Sequence, residues 1–457
     1  MLYRLWFFLA LALLIPAPLW GKEGDAARKP NIIVIVGDDM GYADIGPHGC
    51  KDIPTPHLDS LAKNGIRCTS GYVSGPYCSP TRAGLLTGRY QQRFGHEFNP
   101  GPPATAGDDV GLPLSETTLA QRLKSAGYAT CMVGKWHLGN GEKYRPLARG
   151  FDEFYGFLGG AHPYFDGRGN PNQPAVRGNP IMRGNETIQE KEYLTDAFRR
   201  EALATIDRHK DHPFFLYLTF NAVHTPLEAT QKYLDRFKEI GAPRRQTYAA
   251  MMSAMDDAIG AVLGKLRETK LEENTLIFFI SDNGGPPVNG SNNGELRGFK
   301  AQTFEGGVRV PYLVQWKGKL PAGKKYDQPV IQLDIAPTAL AAAGVSSDAK
   351  FDGVNLLPHL QDEKKSPPHE RLYWRFGQQM AIRQGNYKLV QGPMGAKGLY
   401  DLAADIGESK DLTSDRPELA KEMQAAWEEW NKQLEKPKWG AQRANAQGGK
   451  KKKKAAE

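Results

Sequence analysis

Two pairs of adjacent residues, Asp38-Asp39 and Asp282-Asn283, could ligate a cation. Three carboxylates and an amide offer only oxygen, which suits a hard ion, Ca2+ or less readily Mg2+, rather than zinc. Taken singly, each pair also fits a turn, because the aspartates stand just before Gly41 and Asn283 precedes Gly284. A second group, Lys135, His137 and His224, could bind an anion or move a proton. A third lies in 75–89, GPYCSPTRAGLLTGR. Here Cys78 precedes Ser79, a good helix cap, and Pro80, favoured at the first helical position, so the stretch from Ser79 is expected to be helical. The positive end of that helix would face Cys78 and any bound anion, and Arg82, one turn on, could add a permanent charge there. The plain alternative is a buried cysteine beside an ordinary helix. A thiolate phosphatase would want five residues between its cysteine and arginine; the three between Cys78 and Arg82 disfavour that chemistry.

These residues need a scaffold that gathers them. Runs of apolar, β-branched and aromatic residues at 31–36, 129–133, 213–220 and 274–281 read as buried strands. Each is followed by members of the groups above: Asp38 and Asp39, Lys135 and His137, His224, and Asp282 and Asn283. In an open α/β sheet, ligands bind beyond the carboxyl ends of the strands, so the four tails are expected to converge on one crevice. Helical patterns at 56–64, 115–125, 192–207 and 246–267 alternate with the strands, which predicts an α/β sandwich around a large, mostly parallel sheet. After Gly344 the texture changes to short antiparallel strands, followed by an amphipathic helix through 417–434. The expected division is a leader at 1–21, a catalytic domain at 30–344, a C-terminal subdomain at 345–438 and a disordered basic tail at 439–457.

With 457 residues the chain can bury a sizeable core, and its 50 glycines and 32 prolines indicate many loops. The leader carries Arg4, an apolar run from Leu5 to Ile15 and then prolines and small residues. That run is short for a membrane span and reads as a cleaved secretory signal, so a secreted or periplasmic protein with no stable membrane anchor is expected. The four cysteines show no C-x-x-C spacing, hence no zinc signature, and reserving Cys78 for chemistry leaves Cys50, Cys68 and Cys131 to form at most one disulfide. The net charge of +8 includes the run Lys450 to Lys454 and otherwise favours anionic substrates. No motif points to nucleic acid.

The stretch CSPTRAGLLTGR, with its Cys-x-Pro-x-Arg core, resembles the signature of the sulfatases. Further blocks extend the resemblance over nearly the whole mature chain: GDDMGYADIG, VGKWHLG at 133–139, HTP at 224–226, SDNGG at 281–285 and GFKAQTFEGGVRVP at 298–311. They look closest to arylsulfatases and N-acetylgalactosamine sulfatases. The resemblance implies an alkaline-phosphatase-like fold, hydrolysis of sulfate monoesters on a carbohydrate, and oxidation of Cys78 to formylglycine by a maturation enzyme. It implies Asp38, Asp39, Asp282 and Asn283 as Ca2+ ligands, with the modified Cys78 completing the shell. Arg82 and Lys135 would hold the formylglycine hydrate, Lys300 and His224 would contact the sulfate, and His224 would protonate the leaving alcohol. His137 would accept a proton from the second hydroxyl as sulfate departs. His162 in GGAHPYF and His96 in RFGHEFNP are further candidates for substrate contact, in loops that packing would equally explain. Two other readings compete: a phosphate or phosphonate monoester hydrolase of the same superfamily, and an unmodified, inactive protein that binds sulfated glycans.

Overall fold

The structure, a computed structural model, describes residues 28–101, 106–165, 179–347 and 350–440. Its centre is a ten-stranded sheet ordered Lys324–Tyr326, Ile66–Cys68, Tyr312–Gln315, Thr275–Ser281, Asn31–Gly37, Phe214–Thr219, Ala129–Lys135, Glu153–Phe157, Met182–Arg183 and Glu186–Thr187. The five strands from Thr275–Ser281 to Glu153–Phe157 are mutually parallel. Antiparallel pairs join Tyr312–Gln315 to the sheet on one side and the two short strands on the other.

The run NIIVIVG forms the middle strand because every one of its residues is buried, which a strand covered on both faces requires. Its alternation sorts the core. Ile33 and Ile35 pack on one face with the helices Leu194–His209 and Pro243–Glu268, while Ile32, Val34 and Val36 pack on the other with Cys78–Thr87, Leu119–Ser125 and Ile335–Ala342. Register holds the middle strand to both neighbours at once, Ile35 lying beside Leu218 and Phe279. All four expected strands are present within a residue or two of their bounds. The helix expected over 115–125 begins only at Leu119. Thr118 accepts from the Gln121 amide at 3.1 Å and the Gln121 side chain takes the Thr118 amide at 2.8 Å, a capping box that sets the start.

The C-terminal part contains a four-stranded antiparallel sheet, Arg371–Phe376, Gln379–Gln384, Tyr387–Gln391 and Lys397–Asp401, covered by the helix Pro417–Asn431. Leu356 and Leu360 still pack in the main core, so the structural boundary falls later than residue 345. The two parts are tied by a buried ion cluster. Lys388 reaches Glu305 at 2.8 Å and Glu408 at 3.1 Å, and Arg309 also reaches Glu305, at 3.1 Å. Burial alone would raise both carboxyl pKa values. Lys388 and Arg309 overcome it at Glu305, which is held below the usual range, while Glu408, burdened also by Glu305, is pushed above it. Trp439, expected in the tail, instead stacks edge-on with His96 and donates to the Phe98 carbonyl at 2.7 Å. The leader at 1–21 and the tail from 441 lie outside the described residues. Among the described residues no helix is long and apolar enough to cross a membrane.

Candidate active site

The four strand tails meet. Asp38 and Asp39 leave the Asn31–Gly37 strand, Asp282 and Asn283 follow Thr275–Ser281, Lys135 ends Ala129–Lys135, and His224 lies in the loop after Phe214–Thr219. The Lys135 amine is in contact with Asp38, and Lys300 donates to both oxygens of Asp39 at 2.7 and 2.9 Å. Arg82 binds Asp282 through Nε and Nη2 at 3.1 and 2.8 Å and sends Nη1 to the Lys135 carbonyl. Asn283 donates to Asp39 at 2.8 Å, while its Oδ1 is buried without a partner. Three carboxylates thus balance three cations. Burial pushes Asp282 up to about 6 despite Arg82, with Asp38 adding to the rise. Asp38 itself is driven low because Lys135, His224 and Arg82 outweigh its burial.

Cys78 stands at the floor of this cluster, its Sγ 3.2 Å from Lys300 Nζ and 3.7 Å from Asp38 Oδ1. It is the first residue of the helix Cys78–Thr87, with Tyr77 in the capping position, so the expectation that Ser79 caps the helix is corrected. Asn99 takes that role by accepting the Ser79 amide at 2.9 Å. The Ser79 hydroxyl is free for another bond: it donates to the His137 carbonyl at 2.6 Å and therefore accepts from His96 Nε2, also at 2.6 Å. Burial pushes the Cys78 thiol up to about 12 in spite of Lys135 and Lys300, with the charges of Asp282 and Asp38 adding to the rise. A resting thiolate is therefore not the reactive species here.

A cavity of about 230 Å3 opens over Cys78, with Tyr77, Asn99, His137, His224 and Lys300 in its walls. His224 donates Nδ1 to the Thr225 carbonyl at 2.6 Å, which leaves Nε2 toward the site, 3.6 Å from Asp39. His96 and His162 do not line the cavity. Both rings are buried; His96 is held by Ser79 and Trp439, and His162 turns Nδ1 to the Pro163 carbonyl beside Phe157. Their placement makes them supports behind the wall: His96 bonds the Ser79 side chain and His162 the Pro163 backbone, and each leaves its other ring nitrogen buried without a partner. The lining residues that sequence reasoning missed are Tyr77, the run Asn99-Pro100-Gly101 and the Gly160-Ala161 pair. For Asn99 a signal existed, a polar residue three positions beyond His96 in the same loop.

Backbone strain gathers at the same place. Asp39, His137 and Ala301 have φ of 62°, 61° and 69°, values that L-residues rarely adopt and that surrounding structure must hold in place. For His137 the restraint is the bond from Ser79 and the room left by Gly160, where an added Cβ would lie 2.7 Å from the imidazole Cε1 and Nε2. Gly160→Ala should therefore displace that ring and lower kcat about tenfold, a misplacement of under about 1 Å being enough. Steady-state kinetics beside a melting curve checks this. An unchanged kcat in a normally folded variant would show that the ring yields without loss.

Comparison with known proteins fits this geometry. The sulfatase family pattern matches residues 30–345, and the pattern described as N-sulphoglucosamine sulphohydrolase, C-terminal, matches 294–436. The N-acetylgalactosamine-6-sulfatase of Sus scrofa is 37% identical over 397 residues, covering 83% of this chain and 74% of that protein. The crystal structure of Ps i-CgsB superposes with a TM-score of 0.86 at 38% identity, covering 91% of this chain and 95% of that one. The same protein in complex with k-i-k-neocarrahexaose gives 0.84 at 37% identity, covering 90% and 95%. With its Cys78 motif at the foot of a carboxylate cluster and these matches along most of its length, the chain belongs to the sulfatase family, enzymes that hydrolyse sulfuric esters.

Proposed function

We propose that the protein removes sulfate from an ester on a sugar hydroxyl, with residue 78 in its oxidised formylglycine form as nucleophile. The observation that carries this reading is the meeting of Cys78, Lys300 and His224 in one cavity beside Asp38, Asp39, Asp282 and Asn283. The sugar is supported by the relatives: one is named for N-acetylgalactosamine, and another binds k-i-k-neocarrahexaose. Tyr77 adds an aromatic wall on which a sugar ring can lie.

The residues present fit a Ca2+ ion. The donors are all oxygen, and Asn283 Oδ1 is a buried acceptor without a partner. Of the proposed ligands, Asp38 and Asp39 bring carboxylate oxygens within 4.8 Å of each other, with Cys78 Sγ and a His224 ring nitrogen beside them. Asp38, Asp39, Asp282 and Asn283 would hold the ion, which would lower the pKa of a hydroxyl on residue 78 and polarise a sulfate oxygen. As formylglycine hydrate, residue 78 supplies one hydroxyl to attack sulfur and a second whose deprotonation releases sulfate and restores the aldehyde. Arg82 and Lys135 fix the carboxylates around that residue. Lys300 would bind a sulfate oxygen, His224 Nε2 would give a proton to the departing sugar oxygen, and His137 would take the proton from the second hydroxyl. Because the protein's own charges already balance, a bound divalent ion would leave the cavity positive and attractive to an anion. The secreted or periplasmic location read from residues 1–21 belongs to the same proposal.

Release of inorganic sulfate from 6-sulfated N-acetylgalactosamine and from sulfated galactan oligosaccharides tests the reading, with nitrophenyl sulfate and nitrophenyl phosphate as a matched pair. Sulfate esters should be turned over faster by at least about tenfold. Faster phosphate hydrolysis would assign the enzyme to phosphate esters, and binding of the sulfated sugars without turnover by formylglycine-containing protein would make it a lectin-like relative.

A further inference from the structure

We propose that a second, peripheral metal site for Zn2+ lies on the strand Ala129–Lys135, built from Cys131, Glu153 and His209. The spacing of the cysteines along the chain carries no zinc signature, but folding brings these three residues together from separate elements. Cys131 pairs directly with Glu153 across the parallel strands, which puts both side chains on the same face. His209 closes the helix Leu194–His209 above them. One ligand atom from each lies within 4.8 Å of the other two.

The donors are a thiol, an imidazole and a carboxylate, the mixed set that zinc takes and that Ca2+ and Mg2+ do not. Tetrahedral zinc bonds imply ligand-to-ligand separations of roughly 3.3–3.6 Å. His209 Nε2 and Glu153 Oε1 are now 2.8 Å apart, so an entering ion needs that hydrogen bond to open by about half an ångström while the thiol closes in. The thiol proton passes to solvent as the zinc–sulfur bond forms. The Arg208 guanidinium holds both carboxylate oxygens, Nη2 on Oε2 and Nε on Oε1 at 3.1 Å, so the Nε bond must also yield as an ion enters while Nη2 would go on aiming Glu153, as outer hydrogen bonds do for ligating carboxylates. An ion pair accounts for Arg208 and His209 around Glu153, and Cys131 belongs to the apolar core beneath them, so the packing of that face brings a free thiol to the same spot. A cavity of about 360 Å3 is lined by Cys131, Glu153 and Arg208 and gives an ion a way to the first two ligands, His209 standing outside its lining. Lys135, at the far end of the same strand, belongs to the sulfatase site, so the two centres occupy opposite ends of that strand.

Cobalt tests the site, because Co2+ takes zinc positions and reports a thiolate ligand by a near-ultraviolet charge-transfer band. The full-length, untagged protein, first saturated with Ca2+, should develop that band with one equivalent of Co2+, and excess Zn2+ should abolish it. Cys131→Ser should remove the band, and His209→Gln should weaken Co2+ binding at least about tenfold. Cys78→Ser should keep the band, which separates this site from the cluster around Cys78. Absence of the band in the unsubstituted protein, or a band that survives Cys131→Ser or vanishes with Cys78→Ser, overturns the proposal. Should Cys131→Ser fail to fold, unchanged Co2+ affinity in His209→Gln overturns it equally.

Discussion

Cys78→Ala should fold and bind Ca2+ yet turn over sulfate esters more slowly by on the order of 10^4-fold or more, the scale of loss when a covalent nucleophile is removed. The fold tolerates the change because only a sulfur atom is lost from the start of a helix whose ten residues are all buried. A cavity of that size costs about 1 kcal/mol. The chemistry does not tolerate it, since Lys300 and His224 then surround a methyl group. The burial of Cys78, only 1% exposed, carries a second consequence. If residue 78 is oxidised by a maturation enzyme, as proposed, that enzyme would not reach a side chain enclosed by Asp38, Lys135 and Lys300, and oxidation would precede closure of the site. Protein made without the maturation enzyme, then folded and exposed to it, should stay inactive, and the mass of the peptide containing residue 78 should still be that of the thiol. Full activity in Cys78→Ala would sink the formylglycine mechanism. Late activation of folded protein, with the aldehyde mass appearing, would leave the mechanism standing and show that the cavity opens.

Much of the positioning was legible because the sheet is parallel and buried. Continuous apolar runs such as NIIVIVG and TLIFFIS have one stable use, an interior strand covered on both faces, and their order fixed where Asp38, Asp39, Asp282 and Asn283 would emerge. What the pattern could not carry was conformational or long-range. Nothing in the sequence shows that Asp39 and His137 adopt positive φ, because ordinary residues do so only when contacts from elsewhere hold them. His137 depends on Ser79, 58 positions earlier, and on the missing side chain of Gly160. Ser79 misled for the same reason. A serine before proline is a good cap by local rules, but here its hydroxyl is claimed by the His137 carbonyl and His96, and Asn99 caps in its place. His96 and His162 were legible as unusual residues in glycine-rich loops, and composition alone cannot separate a ring that lines a cavity from one that supports its wall.

His224→Ala should divide substrates by leaving group. A sugar alkoxide is a poor leaving group and needs a proton as the S–O bond breaks, whereas nitrophenolate departs without one. The geometry gives His224 the means. Nδ1 is committed to the Thr225 carbonyl, so the ring cannot turn away, and Nε2 is left facing the cavity near Asp39; burial holds the imidazole below its ordinary range, and the charges of Asp39 and Asp38 work against that by favouring a proton on the ring. The carbonyls of Asn221 and His224 both lie within hydrogen-bond distance of the Tyr164 hydroxyl, which steadies the loop that carries the ring. The expected result is a loss in kcat/KM on a sulfated sugar that exceeds the loss on nitrophenyl sulfate by on the order of 10^2-fold. His224→Gln, which can hydrogen-bond but not supply the proton, should behave like the alanine variant on the sugar and recover part of the nitrophenyl activity. Equal losses on both substrates would make His224 a sulfate-binding residue and pass the acid role to Lys300, whose amine touches both Asp39 and Cys78 and is the other proton donor within reach.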